Sequence, residues 1–176
     1  MNLGRLVGNT PLIKLGDRLY AKFETYNPSG SIKDRIAYYI LAKAEERGSL
    51  KKGDTIIEAT SGNTGIAVSM FGANKGYPVI IIMPSNMSEE RKQMMRMFGA
   101  EIIEVDPGDF DGAIALRNKM CEEPNTFNFN QFHNPDNIAC HYETTGVEIL
   151  EQTKGLPVAA FLDGTGTGGT LMGVSA

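Results

Sequence analysis

Thr55-Ile56-Ile57-Glu58-Ala59-Thr60-Ser61-Gly62-Asn63-Thr64-Gly65, followed by Val79-Ile80-Ile81-Ile82-Met83, is the stretch whose reading decides the fold. Two short apolar, β-branched runs, Thr55–Glu58 and Val79–Met83, have the length of strands buried on both faces. Between them Thr64–Asn74 reads as a helix that stops at Gly76, so the unit is strand, helix, strand. The same alternation continues downstream. Helices are predicted over Ser88–Phe98, Phe110–Cys121 and Asn137–Gln152, and strands over Glu101–Val105, Thr126–Phe129 and Val158–Leu162. Such alternation implies parallel strands joined by right-handed helical crossovers, and therefore an α/β fold. Upstream lie a helix over Ile32–Arg47 and a short hairpin, Pro11–Leu15 with Leu19–Glu24, turning at Gly16-Asp17. Gly48, Gly76 and Gly99 stand where helices should end, and Ser88 stands where one should be capped. No internal repeat, low-complexity tract or linker interrupts the pattern.

Composition is that of an ordinary globular chain: 176 residues, 41% hydrophobic and 22% charged. The net charge of -4 offers no general attraction to nucleic acid or to an acidic membrane. Small molecules are the expected ligands. No apolar run approaches the roughly 20 residues needed to cross a bilayer, and Met1–Thr10 lacks the features of a signal peptide, so the expected compartment is the cytoplasm. Cys121 and Cys140 form no C-x-x-C pair and are expected to be reduced, partly buried thiols. His133 and His141 lack a second pair of ligands, so no metal site is expected.

Three small, polar segments lie where a strand or loop feeds a helix, a natural place to hold an anion. They are Asn27-Pro28-Ser29-Gly30-Ser31-Ile32-Lys33-Asp34-Arg35, Thr60-Ser61-Gly62-Asn63-Thr64-Gly65, and Gly164-Thr165-Gly166-Thr167-Gly168-Gly169-Thr170. In the third, glycines let backbone N–H groups approach a phosphate while the Thr167 and Thr170 hydroxyls donate. Gly164, Gly166 and Gly169 also satisfy the dinucleotide fingerprint, and a tight strand-to-helix turn would need some of the same residues. In the second, Thr60, Ser61, Asn63 and Thr64 suit a substrate carboxylate; the alternative is a helix cap made by Ser61 or Asn63. Lys33 in isolation reads as a surface charge. It follows Ile32 and a Gly-Ser turn, however, and sits in a first helical turn where the dipole disfavours a cation. Burial there would lower its pKa and make the amine nucleophilic toward an aldehyde. A dinucleotide fold has no use for such a lysine.

Together the three segments resemble the fold-type II pyridoxal phosphate (PLP) enzymes: cysteine synthases, cystathionine β-synthases and serine/threonine dehydratases. Further matches are Val7-Gly8-Asn9-Thr10-Pro11-Leu12, Met83-Pro84-Ser85-Asn86-Met87-Ser88-Glu89-Glu90-Arg91, Gln131-Phe132-His133-Asn134-Pro135 and Thr144-Thr145-Gly146. The similarity is greatest to the cysteine synthases (O-acetylserine sulfhydrylases). Some segments are closer to the B-type and the glycine loop to the A-type, so the subtype stays open.

The resemblance implies a layered, tryptophan synthase β-like fold with helices on both faces of parallel sheets, and a C-terminal part of the larger domain that is absent. Residues 1–34 and 138–176 would belong to the larger, PLP-binding domain and 35–137 to a smaller domain that closes on substrate. The implied reaction is PLP-dependent β-replacement, forming L-cysteine from O-acetyl-L-serine and sulfide. Related cystathionine β-synthase or serine/threonine dehydratase chemistry, or a truncated, catalytically weak or inactive PLP-binding or regulatory homologue, are the alternatives. Lys33 would carry PLP as a Schiff base and act as general base on the α-proton. Asn63 would hydrogen-bond the cofactor's 3'-oxygen. Gly166, Thr167, Gly168, Gly169 and Thr170 would hold its phosphate. Thr60, Ser61, Asn63, Thr64 and Gln131 would bind the amino-acid substrate. Implied partners are small molecules, a second copy of the chain, and either serine acetyltransferase or a complementing polypeptide. The chain departs from the family in having Glu24-Thr25-Tyr26 where Glu-Gly is usual, and in stopping just after the glycine loop. The Ser or Thr that pairs with the pyridine nitrogen is therefore missing.

Overall fold

The computed structural model describes residues 3–176. A small antiparallel hairpin, β1 (Leu12–Gly16) and β2 (Leu19–Lys22), precedes helix α1 (Lys33–Glu46). The central unit follows as β3 (Thr55–Ala59), α2 (Asn63–Lys75), β4 (Val79–Pro84), α3 (Glu89–Met97), β5 (Glu101–Val105), α4 (Phe110–Met120) and β6 (Thr126–Asn128). Its four strands pair in the order β5-β4-β3-β6, all parallel, with Ile56 opposite Val79 and Ile57 opposite Asn128. The α/β class is therefore as the alternating pattern implies.

Strand side chains alternate between two apolar layers. Ile56, Ile81 and Met83 pack with Ile36 and Ile40 of α1 and Val68 and Phe71 of α2. Ile57, Ala59 and Ile82 pack on the other side, against Ala113 of α4. The β-rich runs at 56–57 and 79–83 are apolar without interruption because both faces of the sheet are covered. Gly48, Gly76 and Gly99 all have positive φ (70°, 83° and 83°) just past a helix, which explains why those helices end there.

Three expectations are corrected. Val158–Leu162 forms no strand. Val158 is 57% and Leu162 86% exposed, and residues 157–165 carry no regular structure. A strand exists only through its ladder of backbone hydrogen bonds, and no neighbour offers one here. Ser88 occupies the N-cap of α3, but its hydroxyl bonds the Glu90 carboxylate (2.5 Å) instead of capping the helix. The single helix expected over Asn137–Gln152 is instead α5 (Asp136–Cys140), a π-helical stretch His141–Gly146, and α6 (Val147–Gln152). In the π-helical stretch the Thr144 hydroxyl donates back to the Cys140 carbonyl (2.6 Å). A last short helix, α7 (Gly169–Ser175), packs against that stretch.

The hairpin, α1 and α6 meet at a buried ionic network. Arg35 bonds Glu24 through Nε and Nη2 (both 2.8 Å) and Glu148 through Nη1 and Nη2 (2.7 and 2.8 Å). Lys22 adds a second cation 2.6 Å from Glu148. Burial alone would raise the Glu148 pKa, but the hydrogen bonds from Arg35 and Lys22 outweigh it and hold the carboxyl at about 2, below its ordinary value of 4.5. A depressed carboxylate stabilises the fold at pH values above its unfolded pKa. That stability is lost as pH falls from about 4.5 toward about 2. After allowing for solvent screening, the loss attributable to Glu148 is about 2 kcal/mol. Urea unfolding measured across this range should show the decline, and Glu148→Gln should flatten it. An equally steep decline in the variant would assign the effect elsewhere.

Candidate active site

At the end of β3 the chain enters the loop Thr60-Ser61-Gly62, and α2 begins at Asn63. Gly62 holds the N-cap position and no side chain caps the helix, so neither Ser61 nor Asn63 serves as an N-cap. The start of α2 is therefore left without a side-chain cap, and an uncapped helix N-terminus beside hydroxyl side chains suits a carboxylate. Close packing shapes the loop: a Cβ at Gly65 would come 2.6 Å from Met95 Cε and 3.1 Å from Thr60 Cγ2.

Gln131 reaches this loop from the segment after β6. It is 5% exposed, and its Oε1 accepts from the Thr64 hydroxyl (2.6 Å). Its backbone N–H donates to Oε2 of Glu58 (3.2 Å), a fully buried carboxylate on β3. Asn130, with φ of 50°, makes the turn that points Gln131 inward. Burial pushes the Glu58 carboxyl up to about 7, opposed by the charge of Arg117 and by backbone N–H groups of Gln131, Ala59 and Asn130.

The glycine loop is tied to this cluster by Asn137 of α5. Its Nδ2 donates to the Gln131 carbonyl and to the Thr167 hydroxyl, each at 2.9 Å. Thr167 Oγ1 also accepts from Gly169 N (3.3 Å), so both bonds are accepted and its own hydrogen is available to donate. Gly168 has φ of 81°, and a Cβ on Gly169 would meet the Asn137 side chain at 1.9 Å. Farther along α7, a Cβ on Gly173 would lie 2.6 Å from both His141 Cβ and the Ile138 carbonyl. Glycine is needed at both positions because backbone abuts side chain there.

Lys33 is the first residue of α1, half-buried, with its backbone N–H bonded to Ser31 Oγ (3.2 Å). Burial lowers the pKa of its amine, against an opposing pull from the Asp163 carboxylate. His141 is driven down to about 4, first by burial and then by the charges of Lys33 and Arg35, so it is neutral near pH 7 and within electrostatic reach of the lysine. Its ring nitrogens lie 2.9 Å from Thr145 Oγ1 and 3.4 Å from Thr170 Oγ1. His141 thus links the neighbourhood of Lys33 to the last hydroxyl of the glycine loop. A half-buried amine of lowered pKa, whose neighbourhood is linked through His141 to the glycine loop, suits a phosphorylated aldehyde.

Of the sequence-predicted residues, Thr64, Gln131, Thr167, Gly169 and Thr170 thus lie in two connected chains of contacts, with Lys33 near the second. Thr60 Oγ1 accepts only weakly from Gly62 N (3.4 Å), Ser61 offers its carbonyl to Arg91 (3.4 Å), and Asn63 and Gly166 are exposed. Glu58 and Asn137 were not singled out from sequence, and His141 was weighed only as a metal ligand. Glu58 sits inside a strand pattern and Asn137 inside a helical one, so only their unusual polarity at buried positions marked them. A cavity of about 310 Å³ lies elsewhere, lined by Gly8, Arg35, Tyr38, Tyr39, Glu143 and Glu148 among others, and contains none of the predicted site residues. Cys121 and Cys140 are both free, and burial pushes both thiols up, Cys140 to about 12, where a thiol is inert.

Comparison with known proteins gives concordant matches. A family described as "Pyridoxal-phosphate dependent enzyme" matches residues 3–176. Cysteine synthase B of Salmonella typhimurium is 47% identical over 181 residues, covering 98% of this chain and 59% of that protein. Cysteine synthase of Staphylococcus aureus is 44% identical over 182 residues, covering 98% and 58%. Among solved structures, a hydrogen sulfide-producing enzyme of Fusobacterium nucleatum superposes with a TM-score of 0.94 at 48% identity, covering 98% of this chain and 55% of that one. A cysteine synthase of Entamoeba histolytica gives 0.92 at 42%, covering 99% and 55%. The chain therefore spans a little under three fifths of the length of the relatives it matches.

Proposed function

Because the chain belongs to the pyridoxal-phosphate dependent enzyme family, we propose that it provides the PLP- and amino-acid-binding portion of a cysteine synthase, which makes L-cysteine from O-acetyl-L-serine and sulfide by β-replacement. The observation that supports this reading is the hydrogen-bonded path Thr64–Gln131–Asn137–Thr167, which ties the loop proposed for the carboxylate to the loop proposed for the phosphate. When bound, PLP supplies an electron sink for charge developing at the substrate α-carbon. In this reading Lys33 would hold the cofactor through Nζ and would accept the α-proton at that atom. Asn63 would hydrogen-bond the cofactor's 3'-oxygen. Thr60, Ser61, Thr64 and Gln131 would bind the substrate carboxylate, and Gly166–Thr170 would hold the phosphate. Residues 35–137 form the smaller domain that closes and excludes water, and 1–34 with 138–176 belong to the larger one. A cytoplasmic location, self-association and a contact with serine acetyltransferase belong to the same proposal. No helix among the described residues is long and apolar enough to cross a membrane.

The test supplies the PLP-loaded protein with O-acetylserine and, separately, sulfide, homocysteine or water alone. Cysteine formation supports the reading; cystathionine or keto acid as the dominant product would move the assignment to another branch of the family. Removing Ser61 or Gln131 as alanine should weaken amino-acid binding by about 1–3 kcal/mol, the cost of leaving a buried partner of a charged group unpaired, with cofactor retention little changed. Loss of PLP in these variants would transfer the loop to the cofactor.

A further inference from the structure

Gln131 can serve a substrate carboxylate only if its backbone is held still. The segment after β6 is irregular, and Asn130 sits in the left-handed region. The Asn130 carbonyl is fixed by the N–H groups of His133 (3.1 Å) and Asn134 (2.9 Å), and the Gln131 carbonyl by Asn137 Nδ2 (2.9 Å). The Gln131 N–H is held from outside the loop. Glu58 is fully buried on β3, one residue before Ala59 and the carboxylate loop, and its Oε2 accepts from Gln131 N (3.2 Å). Its other oxygen, Oε1, lies 3.5 Å from Nη1 of Arg117 on α4, itself 3% exposed, and that guanidinium is steadied by Asn118 Oδ1 (3.2 Å to Nε, 2.9 Å to Nη2).

We propose that Glu58, braced by Arg117, is a positioning residue that sets Gln131 against Thr64 and thereby fixes the affinity for the amino-acid carboxylate. The inference rests on the substrate reading above. A buried carboxylate without a partner is costly, so an apolar residue would be expected on this strand unless the charge is used. Glu58 uses one oxygen for each segment it joins: Oε2 faces the Gln131 loop and Oε1 faces α4. The two halves of the carboxylate clamp, the 60–64 loop and Gln131, are thus referred to one rigid strand.

Glu58→Gln sets up a conflict, because the amide presents its oxygen either to the Gln131 N–H or to the Arg117 guanidinium and turns its NH₂ on the other donor. The double variant Glu58→Gln/Arg117→Met removes that conflict and leaves no bare charge. In the full chain, Glu58→Gln should speed amide hydrogen exchange across residues 130–131 by about tenfold before any ligand is added. After loading with PLP, it should weaken L-serine binding, read by cofactor fluorescence, by about tenfold while PLP affinity stays constant. The double variant should recover most of both effects, which a merely structural role would not produce. It also keeps the test alive should the single variant fail to fold. Unchanged exchange, or L-serine affinity and PLP affinity falling together, overturns the proposal. Gln131→Ala separates the two levels. If it weakens L-serine binding and Glu58→Gln does not, only the positioning role falls. If Gln131→Ala leaves L-serine binding intact, the carboxylate reading falls and takes the positioning role with it.

Discussion

Replacing Lys33 by alanine is expected to abolish covalent attachment of PLP altogether. Attachment needs a primary amine that is unprotonated often enough to attack an aldehyde, and burial at the start of α1 lowers the pKa of Lys33 in that direction. Two other lysines are committed elsewhere. Lys22 lies between Glu148 and Thr10, and Lys92 is 1% exposed and bonded to the Ser85 carbonyl and to Glu89. Neighbouring His141, neutral near pH 7, adds no positive charge that would push the lysine further. Reduction of the loaded protein with borohydride, followed by peptide mapping, should place the pyridoxyl group on Lys33 alone and on nothing in the variant. A label on any other lysine would sink the assignment.

Arg35→Met should cost the fold about 3–5 kcal/mol, the range for removing one partner of a buried ionic cluster. Arg35 is 2% exposed and its guanidinium bonds both Glu24 and Glu148, so its loss leaves two largely buried carboxylates without their shared cation. Lys22 relieves Glu148 in part but makes no such bond to Glu24. Equilibrium unfolding in urea measures the loss directly, and the triple variant Arg35→Met/Glu24→Gln/Glu148→Gln, which removes the stranded charges, should recover much of it. A loss under about 1 kcal/mol in Arg35→Met would mean that water replaces the guanidinium at little cost. Because Arg35 follows Lys33 by two residues on the same helical turn, the network also secures the end of α1 that carries the candidate lysine.

Much of the architecture was legible because it is local. Ile56–Ile57 and Val79–Met83 are apolar without alternation, and only a sheet covered on both faces asks for that. Glycines 48, 76 and 99 ended helices because backbone with positive φ is costly for other residues. The candidate site drew attention where several small polar residues stood together, as in Thr60–Gly65 and Gly164–Thr170, since neither a cap nor a turn requires so many. Val158–Leu162 misled because β propensity is also satisfied by an extended, exposed chain. Ser88 misled because its hydroxyl had a closer acceptor in Glu90.

What the sequence by itself determined is the α/β alternation, the helix ends and the three small, polar segments around Lys33, Thr60–Gly65 and Gly164–Thr170 that are proposed to form the site. Each of these depends on residues near one another in the chain, acting through periodicity, backbone conformation or side-chain size. What only the tertiary structure decided is the set of long-range pairings: Glu58 with Gln131 and Arg117, Asn137 with Thr167, and Arg35 with Glu24 and Glu148. A single buried polar residue looks in sequence like an interruption of an apolar run. Whether it is a defect or a brace depends on which distant group meets it when the layers close, because burial makes the unpaired group costly and the paired one directional.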